Sequence, residues 1–399
     1  MPGARTIDET STEWQRGHTW CPFKILCLLA SGVLAFCGDS ANAENPSYSI
    51  VDLGKFTEAT AINDTGDVVG NLRAADGQTH AFFYTNGKMT DLGTFGGSMS
   101  FAKGINATRE IVGVVRIDVD NEHHHPSLHG FLYSQGMVRP LALVDSQPID
   151  AVLASADDIN ASGQIAVQVY SQHGAIWSKG AVIRLGTFVQ KGIGVPMGKA
   201  ISPDGSARVL ISYDEGYVVP HRINDAGDVV GLAKMANGDE HAFFYSKGAL
   251  QDLGALGGKG SQASDINASG QIVGRFRTAE EHIHAFLYAN GKMSDLGVPS
   301  GFVNGVASGI NSSGEIVGNA YTIVGGGFLR IDEHAHAFRY KDGCWIDLMT
   351  CVNLAGTELT ELFMATRINA RGQIIGQATG AGAYHAYLLT PDDASGKGR

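Results

Sequence analysis

The chain is 399 residues long, contains 53 glycines and carries a formal net charge of −11 at pH 7. An acidic chain is a poor partner for nucleic acid, because phosphate binding requires a positively charged face. The length exceeds the roughly 100–200 residues of a typical domain, so we expect either two domains or one domain built from repeats.

The N-terminal segment has the pattern of an export signal. Arg5, Arg16 and Lys24 flank an uncharged apolar run of 13 residues at 25–37, and Ala41-Asn42-Ala43 supplies the small residues of a cleavage site. The run is shorter than the ~20 residues of a membrane-spanning helix, which leaves a retained anchor as the weaker alternative. We therefore predict a cleaved signal peptide over residues 1–43 and export to the periplasm or the extracellular space, with no stable membrane span.

One motif recurs along the rest of the chain. An Ile-Asn pair ends a short apolar stretch seven times, and a histidine begins another apolar stretch after each pair. The asparagines are Asn63, Asn106, Asn160, Asn224, Asn267, Asn311 and Asn369, and the histidines are His80, His129, His173, His241, His284, His336 and His385. Successive asparagines are 43, 54, 64, 43, 44 and 58 residues apart, which indicates a period of 43 with insertions. A period of this size is typical of a propeller blade.

Each unit has the local chemistry of four antiparallel strands. In the fifth unit, the sequence ASDI runs into residues 267–270, where an asparagine turn and a left-handed glycine close a hairpin. QIVG is the returning strand, HAFLY alternates its side chains between two faces, and KMSDLG is the fourth strand. Helical periodicity is absent, apart from a turn or two predicted at residues 357–365.

The two ends of the chain complement each other. Residues 48–54 (YSIVDLG) form a fourth strand without the first three, and residues 385–391 (HAYLLTP) form a third strand without a fourth. Pairing of these ends closes a ring, whereas an open solenoid leaves two bare edges. We predict one all-β propeller domain of seven four-stranded blades over residues 44–391, followed by a disordered tail at 392–399. Eight blades are the alternative, because residues 201–213 contain a degenerate turn and a strand.

The motifs INxxGxIVG, HAFxY and MxDLGxxGG resemble the HAF extracellular repeat family of exported bacterial proteins. The resemblance covers nearly all of residues 48–389 and implies export and a repeat fold, but it implies no catalytic residues. The chain departs from the pattern at Arg109, which replaces the turn glycine of the second unit, and at residues 173–177, where the third unit reads HGAIW.

The histidines are predicted to pair with aspartates of the fourth strands. The expected pairs are His80 with Asp91, His241 with Asp252, His284 with Asp295, His336 with Asp347, and His385 with Asp52 from the N-terminal strand. The two units that read His-Gly have Pro140 and Arg184 in place of the aspartate. We interpret the pairs as structural hydrogen bonds; a metal-binding ring is the alternative, but metal ligands normally converge in threes or fours.

Other candidate sites are few. Residues 118–125 (DVDNEHHH) carry donors for a metal, but their spacing matches no calcium loop, so we expect a solvated loop. We predict no catalytic residue, cofactor or metal. Cys344 and Cys351 are the cysteines left after cleavage, and export to an oxidising compartment predicts a disulfide between them, with two half-buried free thiols as the alternative.

The pattern of insertions indicates where a partner binds. The long segments 116–128, 187–222, 319–333 and 349–366 all fall in loops that a propeller places on one face, and long loops on a rigid scaffold are common recognition sites. Neutral drift of surface loops is the competing explanation. We predict a non-enzymatic module that binds an envelope or extracellular protein or glycan. The alternative is a propeller hydrolase of envelope glycans or lactones, with Asp214 and Glu215 near the channel mouth.

Overall fold

The computed structural model describes residues 46–118, 127–141, 153–169, 173–188, 195–201, 207–212, 216–322 and 335–392. The chain divides into two compact units, Met1–Cys37 and Gly38–Arg399, and the described residues all belong to the second. The predicted leader at 1–43 and residues 393–399 of the predicted tail lie outside the described residues. Within the described ranges, no helix is long and apolar enough to cross a membrane.

The described chain is almost entirely β-structure, with 30 strands and one short 3₁₀ helix. The first fifteen strands in chain order are β1 (Tyr48–Lys55), β2 (Thr57–Ile62), β3 (Val68–Arg73), β4 (Thr79–Thr85), β5 (Lys88–Asp91), β6 (Met99–Ile105), β7 (Ile111–Ile117), β8 (Ser127–Ser134), β9 (Met137–Pro140), β10 (Leu153–Ile159), β11 (Ile165–Val169), β12 (His173–Ser178), β13 (Ala181–Arg184), β14 (Val195–Ile201) and β15 (Ala207–Ser212). The remaining strands are β16 (Val218–Ile223), β17 (Val229–Lys234), β18 (Glu240–Ser246), β19 (Ala249–Asp252), β20 (Gly260–Ile266), β21 (Ile272–Arg277), β22 (Ile283–Ala289), β23 (Lys292–Gly297), β24 (Asn304–Ile310), β25 (Ile316–Tyr321), β26 (His336–Lys341), β27 (Cys344–Asp347), β28 (Leu359–Ile368), β29 (Ile374–Gly380) and β30 (Ala383–Pro391).

These strands form seven four-stranded antiparallel blades, as the repeats predicted. Blade 1 is β2–β5, blade 2 is β6–β9, blade 3 is β10–β13, blade 4 is β16–β19, blade 5 is β20–β23, blade 6 is β24–β27, and blade 7 combines β28–β30 with β1. The first strands of neighbouring blades contact one another around a complete circuit, from β2 through β6, β10, β16, β20, β24 and β28 back to β2. The first strands therefore surround the central channel.

The ring closes by pairing the two ends of the chain. Strand β1 is antiparallel to β30, with Tyr48 opposite Pro391 and Asp52 opposite Tyr387. The predicted closure is confirmed. Because the ends complete one blade, the loss of β1 leaves a three-stranded sheet in which β30 is an unpaired outer edge.

The alternative of eight blades is wrong. Residues 195–212 contain a separate two-stranded sheet, β14–β15, instead of a further blade. Strand β10 of blade 3 contacts β16 of blade 4 directly, so this hairpin lies within a connection and outside the ring of first strands.

The glycine of the repeated IVG sequence is required by close packing between strands. A Cβ atom at Gly274 would lie 2.0 Å from the carbonyl oxygen of Gln262 on the first strand and 2.8 Å from the ring of Phe286 on the third. No side chain fits such a space. Phe286 itself is fully buried, so this one position joins three strands of the blade.

The repeated asparagines form a closed ring of hydrogen bonds between blades. In each blade the asparagine Nδ2 donates to the backbone carbonyl of the corresponding asparagine in the next blade. The seven bonds are Asn63 to Asn106 (3.1 Å), Asn106 to Asn160 (3.2 Å), Asn160 to Asn224 (3.0 Å), Asn224 to Asn267 (3.3 Å), Asn267 to Asn311 (3.0 Å), Asn311 to Asn369 (3.3 Å) and Asn369 to Asn63 (2.9 Å). The sequence assigned these residues only to turns, and the ring adds a contact across every blade boundary.

The departure at Arg109 has a compensating contact. Arg109 adopts a left-handed backbone conformation with φ of 63°, which normally favours glycine. Its Nε donates to Oδ2 of Asp67 in the preceding blade at 2.9 Å. Burial of Asp67 acts to raise the pKa of its carboxyl group. The hydrogen bonds that it accepts from Thr85, Thr65 and Arg109 outweigh this effect, and the pKa of Asp67 is lowered.

The helical turn predicted at residues 357–365 is absent. Residues Leu359–Ile368 form the long first strand of blade 7, and the 3₁₀ helix lies earlier, at Leu348–Cys351. In the strand, Leu362 and Ala365 are fully buried against the neighbouring blade. Tertiary packing thus overrides the local helical preference of this segment.

Candidate functional site

A β-bulge occurs at the same position in the first strand of every blade. The pairing of the first and second strands skips one residue, the third before the repeated asparagine. The seven bulged residues are Thr60, Lys103, Asp157, His221, Ser264, Ser308 and Thr366. A bulge redirects a side chain out of the regular alternation of a strand, and bulges are common beside binding sites.

All seven bulged residues line one cavity in the central channel. The cavity has a volume of about 380 Å³ and is also lined by Arg222, Gln262 and Arg367. Ligand cavities commonly have volumes of ~300–1,000 Å³. The fold therefore brings one side chain from each blade, and more from three of them, to a single polar site.

The wall at blades 2 and 3 is an ion pair. Lys103 Nζ donates to Asp157 Oδ1 at 2.6 Å and to Ser155 Oγ at 2.8 Å. The Ser155 hydroxyl also donates to Asp157 Oδ1 at 2.8 Å. Asp157 Oδ2 is buried and has no hydrogen-bond partner in the described structure. Oδ1 of Asp157 thus accepts two hydrogen bonds, and Oδ2 accepts none.

The wall at blade 4 is an arginine between two buried carboxylates. Asp158, Arg222 and Asp265 occupy equivalent positions, directly after the bulge, on successive blades. Arg222 Nη1 donates to the carbonyl of His221 at 2.8 Å, and Arg222 Nε lies 4.0 Å from Asp265 Oδ1. Burial raises the pKa of Asp158, and burial raises the pKa of Asp265 to about 7 despite the charge of Arg222. Asp265 therefore cancels the arginine charge only in part at neutral pH.

His221 is held as a neutral imidazole beside this arginine. Burial lowers its pKa, and its Nδ1 lies 2.7 Å from the carbonyl oxygen of Ala263, so Nδ1 carries the proton. Its Nε2 lies 3.5 Å from the amide nitrogen of Gln262 and remains an acceptor. The cavity thus contains one neutral histidine acceptor.

The wall at blade 7 is a second arginine. Arg367 Nη1 donates to the carbonyl of Thr366 at 2.7 Å and also to the carbonyl of Ser308. Arg367 Nε is buried without a hydrogen-bond partner. Among the described residues, no carboxylate forms an ion pair with Arg367. The cavity lining therefore carries three cations, Lys103, Arg222 and Arg367, and one carboxylate, Asp157.

The predicted His–Asp pairs are confirmed as hydrogen bonds between the third and fourth strands. The histidine Nδ1 lies 2.9 Å from the carboxylate of Asp91 at His80, 2.9 Å from Asp252 at His241, 3.0 Å from Asp295 at His284, 2.6 Å from Asp347 at His336 and 2.9 Å from Asp52 at His385. None of these residues lines the central cavity. Within the described ranges, no group of three or more His, Cys, Asp or Glu side chains is arranged to hold a metal ion.

Most of the other candidate residues lie outside the described part of the chain. These are Asp214, Glu215 and residues 119–125 of the histidine-rich segment. Asp118, the described residue of that segment, accepts a hydrogen bond from Arg116 Nε at 2.9 Å and does not line the central cavity. His221, Arg222 and Thr366, which do line it, fall within two of the long segments in which the sequence predicted a partner site.

The predicted disulfide between Cys344 and Cys351 is not formed. Cys351 is a free, buried thiol. Strand β27 begins at Cys344 and ends at Asp347, and Cys351 lies at the end of the 3₁₀ helix that follows this strand.

The cavity residues were missed because they break the repeat. All seven copies keep the isoleucine and the asparagine after a variable pair of residues, so the repeated motif itself does not include that pair. A usable signal exists: the third residue before the asparagine changes from Thr to Lys, Asp, His, Ser, Ser and Thr while the Ile-Asn pair that follows stays the same. Variation of charge at one repeat position marks a surface that the fold itself does not constrain.

A second cavity lies at the seam of blade 7. It has a volume of about 640 Å³ and is lined by the start of β1, from Tyr48 to Ile50, and by residues 350–353 and 355–357. Burial raises the pKa of the Cys351 thiol on its wall. The wall carries one charged side chain, Asp392, and so lacks the convergence of charges found in the central cavity.

The sequence matches no protein-family model and no curated protein. Similar solved structures include YCF48 bound to D1 peptide, with 10% identity over 88% of this chain and 98% of that chain and a TM-score of 0.44. A puromycin-hydrolyzing peptidase of Mycobacterium tuberculosis has 11% identity over 88% of this chain and 55% of that chain, with a TM-score of 0.41. TolB from Acinetobacter baumannii has 13% identity over 86% and 80%, with a TM-score of 0.36. Similarity at this level carries no functional argument, and the fold assignment depends on the strand pairing described above.

Proposed function

We propose that this chain is an exported, non-enzymatic binding module of the HAF repeat type, which receives a polar ligand of the cell envelope in the central cavity. One observation carries the proposal: the repeated asparagines, glycines and histidines serve turns, blade packing and His–Asp bonds, whereas four charged residues that the repeat does not share, Lys103, Asp157, Arg222 and Arg367, line one cavity. A set of side chains that the fold does not require, gathered in one concave site, is the usual form of a binding site.

The ligand enters from the face that carries the long loops. Strand β20 begins at the blade-to-blade connection and ends at the asparagine turn. Gln262 extends the cavity lining toward the connection side, and Arg222 and Arg367, which follow the bulges of their strands, extend it toward the turns. The connections β13–β16 and β27–β28 and the loops β7–β8 and β25–β26 leave the described strands at the connection end. These are the four insertions of the sequence, and long loops on a rigid scaffold are the reason for choosing this face as the entrance.

The hydrolase alternative has one supporting observation, the pKa of about 7 of Asp265. However, Asp265 Oδ1 accepts from the backbone N–H of Ile266 at 2.9 Å, and Oδ2 accepts from that of Ile310 at 3.0 Å. Both oxygens are occupied in a buried side chain that does not line the cavity. Asp265 therefore supports Arg222 and is poorly placed for acid–base catalysis, which requires contact with the substrate.

The test is a binding screen of the chain from Glu44 onward against envelope glycans, peptides and small polar metabolites, with a hydrolase panel in parallel. Ser308→Trp fills the cavity, and Ser294→Trp adds the same side chain at an exposed position of β23 as the matched control. We expect binding that Ser308→Trp abolishes and Ser294→Trp preserves, with melting temperatures confirming that both variants fold. Binding that survives Ser308→Trp, or turnover in the hydrolase panel, contradicts the proposal.

A further inference from the structure

Two buried polar atoms of opposite charge in the central cavity lack partners. Four buried side-chain atoms in the described structure have no hydrogen-bond partner, and two of them, Asp157 Oδ2 and Arg367 Nε, belong to residues that line this cavity. Buried polar groups are nearly always paired in native proteins, so each exception requires an explanation. A ligand that supplies both missing partners is one.

The two groups face each other across the channel. Asp157 belongs to blade 3 and Arg367 to blade 7, so in a ring of seven blades two blades lie between them on one route and three on the other, which is close to half the circuit. The shorter route passes Thr60 and Lys103, and the longer route passes His221, Ser264 and Ser308. An unpaired acceptor and an unpaired donor thus lie on opposite walls of a cavity whose other lining groups are mainly hydroxyls and amides.

The charges of the cavity exclude simpler ligands. A plain cation would meet Lys103, Arg222 and Arg367, three positive groups against one carboxylate. A plain anion would satisfy Arg367 but leave Asp157 Oδ2 unpaired on the opposite wall. A molecule with a cationic end and an anionic end pairs with both walls, and charge-assisted hydrogen bonds of this kind are the strong ones.

We propose that the central cavity binds a small zwitterion of the amino-acid type, with its carboxylate at Arg367 and its ammonium group at Asp157. Lys103 holds the other oxygen of Asp157 and keeps the carboxylate oriented, at 2.6 Å. Arg222 adds positive charge on the side of blade 4. This assignment rests on the proposed function, because it names the ligand class of the same cavity.

The first test changes the ligand and leaves the protein intact. Thermal shift and titration calorimetry of the chain from Glu44 onward compare free amino acids with their N-acetylated forms, which lack the ammonium group, and their amides, which lack the carboxylate. We expect the free forms to raise the melting temperature and each capped form to bind at least about tenfold more weakly. Equal binding of free and capped forms overturns the inference.

The second test assigns each end of the ligand to its wall. Asp157→Asn removes the preference for a free ammonium group, and Arg367→Gln removes the preference for a free carboxylate, so each variant abolishes a different discrimination. A merely structural role would weaken both preferences together. Asp239→Asn and Arg139→Gln make the same changes at exposed positions outside the cavity and are expected to leave both preferences intact. Arg367→Lys, which keeps the charge but loses Nε, replaces Arg367→Gln if that variant does not fold.

The outcomes separate this inference from the proposed function. If no amino acid binds but another ligand from the general screen binds in a manner that Ser308→Trp abolishes, the proposed function stands and the zwitterion assignment is wrong. If nothing binds in either experiment, both are wrong. The inference is also overturned if Asp157→Asn removes the preference for a free carboxylate and Arg367→Gln removes the preference for a free ammonium group.

Discussion

The asparagine ring predicts a large and uniform cost for replacing any one of its members. In Asn369→Ala, the chain loses the bonds from Nδ2 to the Asn63 carbonyl at 2.9 Å and to Gln373 Oε1 at 2.9 Å. It also loses the bonds that Oδ1 accepts from the backbone N–H groups of Arg371 at 3.0 Å and Gln373 at 2.9 Å. Asn369 is 4% exposed, so water does not readily replace these partners.

The magnitude follows from the groups left unpaired. Two backbone N–H groups, those of Arg371 and Gln373, lose their partner, and each buried unsatisfied group costs about 1–3 kcal/mol. The Asn63 carbonyl keeps the bond that it accepts from the Gly66 N–H. We therefore expect a loss of roughly 2–6 kcal/mol, a large fraction of the ~5–15 kcal/mol that stabilises a typical domain. Asn224 lies in blade 4, away from the seam between blades 7 and 1, and Asn224→Ala removes an equivalent set of bonds. We expect its loss of unfolding free energy to equal that of Asn369→Ala within about 1 kcal/mol.

The assay is urea unfolding of the chain from Glu44 onward, followed by tryptophan fluorescence and circular dichroism. Asn353→Ala is the matched control, because Asn353 is exposed and makes only a local turn bond to the Ala355 N–H at 3.0 Å. Asn369→Asp keeps the acceptor oxygen and removes the donor to the next blade, so it isolates the contact between blades and is expected to give about half the loss. A cost of Asn369→Ala no greater than that of Asn353→Ala refutes the reasoning.

Three further predictions concern the cavity support, the seam and the thiol. Burial raises the pKa of Asp265 to about 7, so the folded state keeps the proton of this carboxyl group to higher pH than the unfolded state does. The free energy of unfolding therefore falls as the pH rises from about 4 to about 7, by up to roughly 4 kcal/mol from this group. Urea unfolding across this range should show that Asp265→Asn removes this pH-dependent loss. A pH profile identical to that of the unmodified chain contradicts this. Deletion of residues 48–54 removes β1 from blade 7 and should lower the melting temperature of the whole propeller in one cooperative step; an unchanged transition excludes a stabilising seam. Cys351 should resist thiol reagents in the folded protein, because it is buried and burial raises the pKa of its thiol. After unfolding without reductant it should react, and peptide mapping would identify the labelled cysteine. Failure of Cys351 to react after unfolding would indicate a disulfide bond.

Much of the architecture is local and could therefore be predicted. Three features depend on residues close in sequence: the Asn-x-x-Gly turns, the alternation of side chains in HAFLY, and the pairing of a histidine on the third strand with an aspartate on the fourth. The number of repeats then gives the number of blades. Even the seam was accessible, because Tyr48 and His385 begin the two halves of one repeat. In contrast, the segment at 357–365 and the pairing of Cys351 were predicted wrongly, because packing against neighbouring blades and the path of β27 decide them.

The strands, the turns and the number of blades follow from the sequence, since each depends on hydrogen bonds and side-chain alternation within about 40 residues. The function of the variable residues before each asparagine becomes visible only in the folded chain. Asp157 and Arg367 are 210 positions apart, and they line the same cavity because closing the ring brings every first strand to one axis. The bulge in each of these strands falls on Asp157 in blade 3 and on Thr366, the residue before Arg367, in blade 7. The ring of asparagine bonds has the same origin: a local turn residue acquires a partner in the next blade only when the blades are packed side by side.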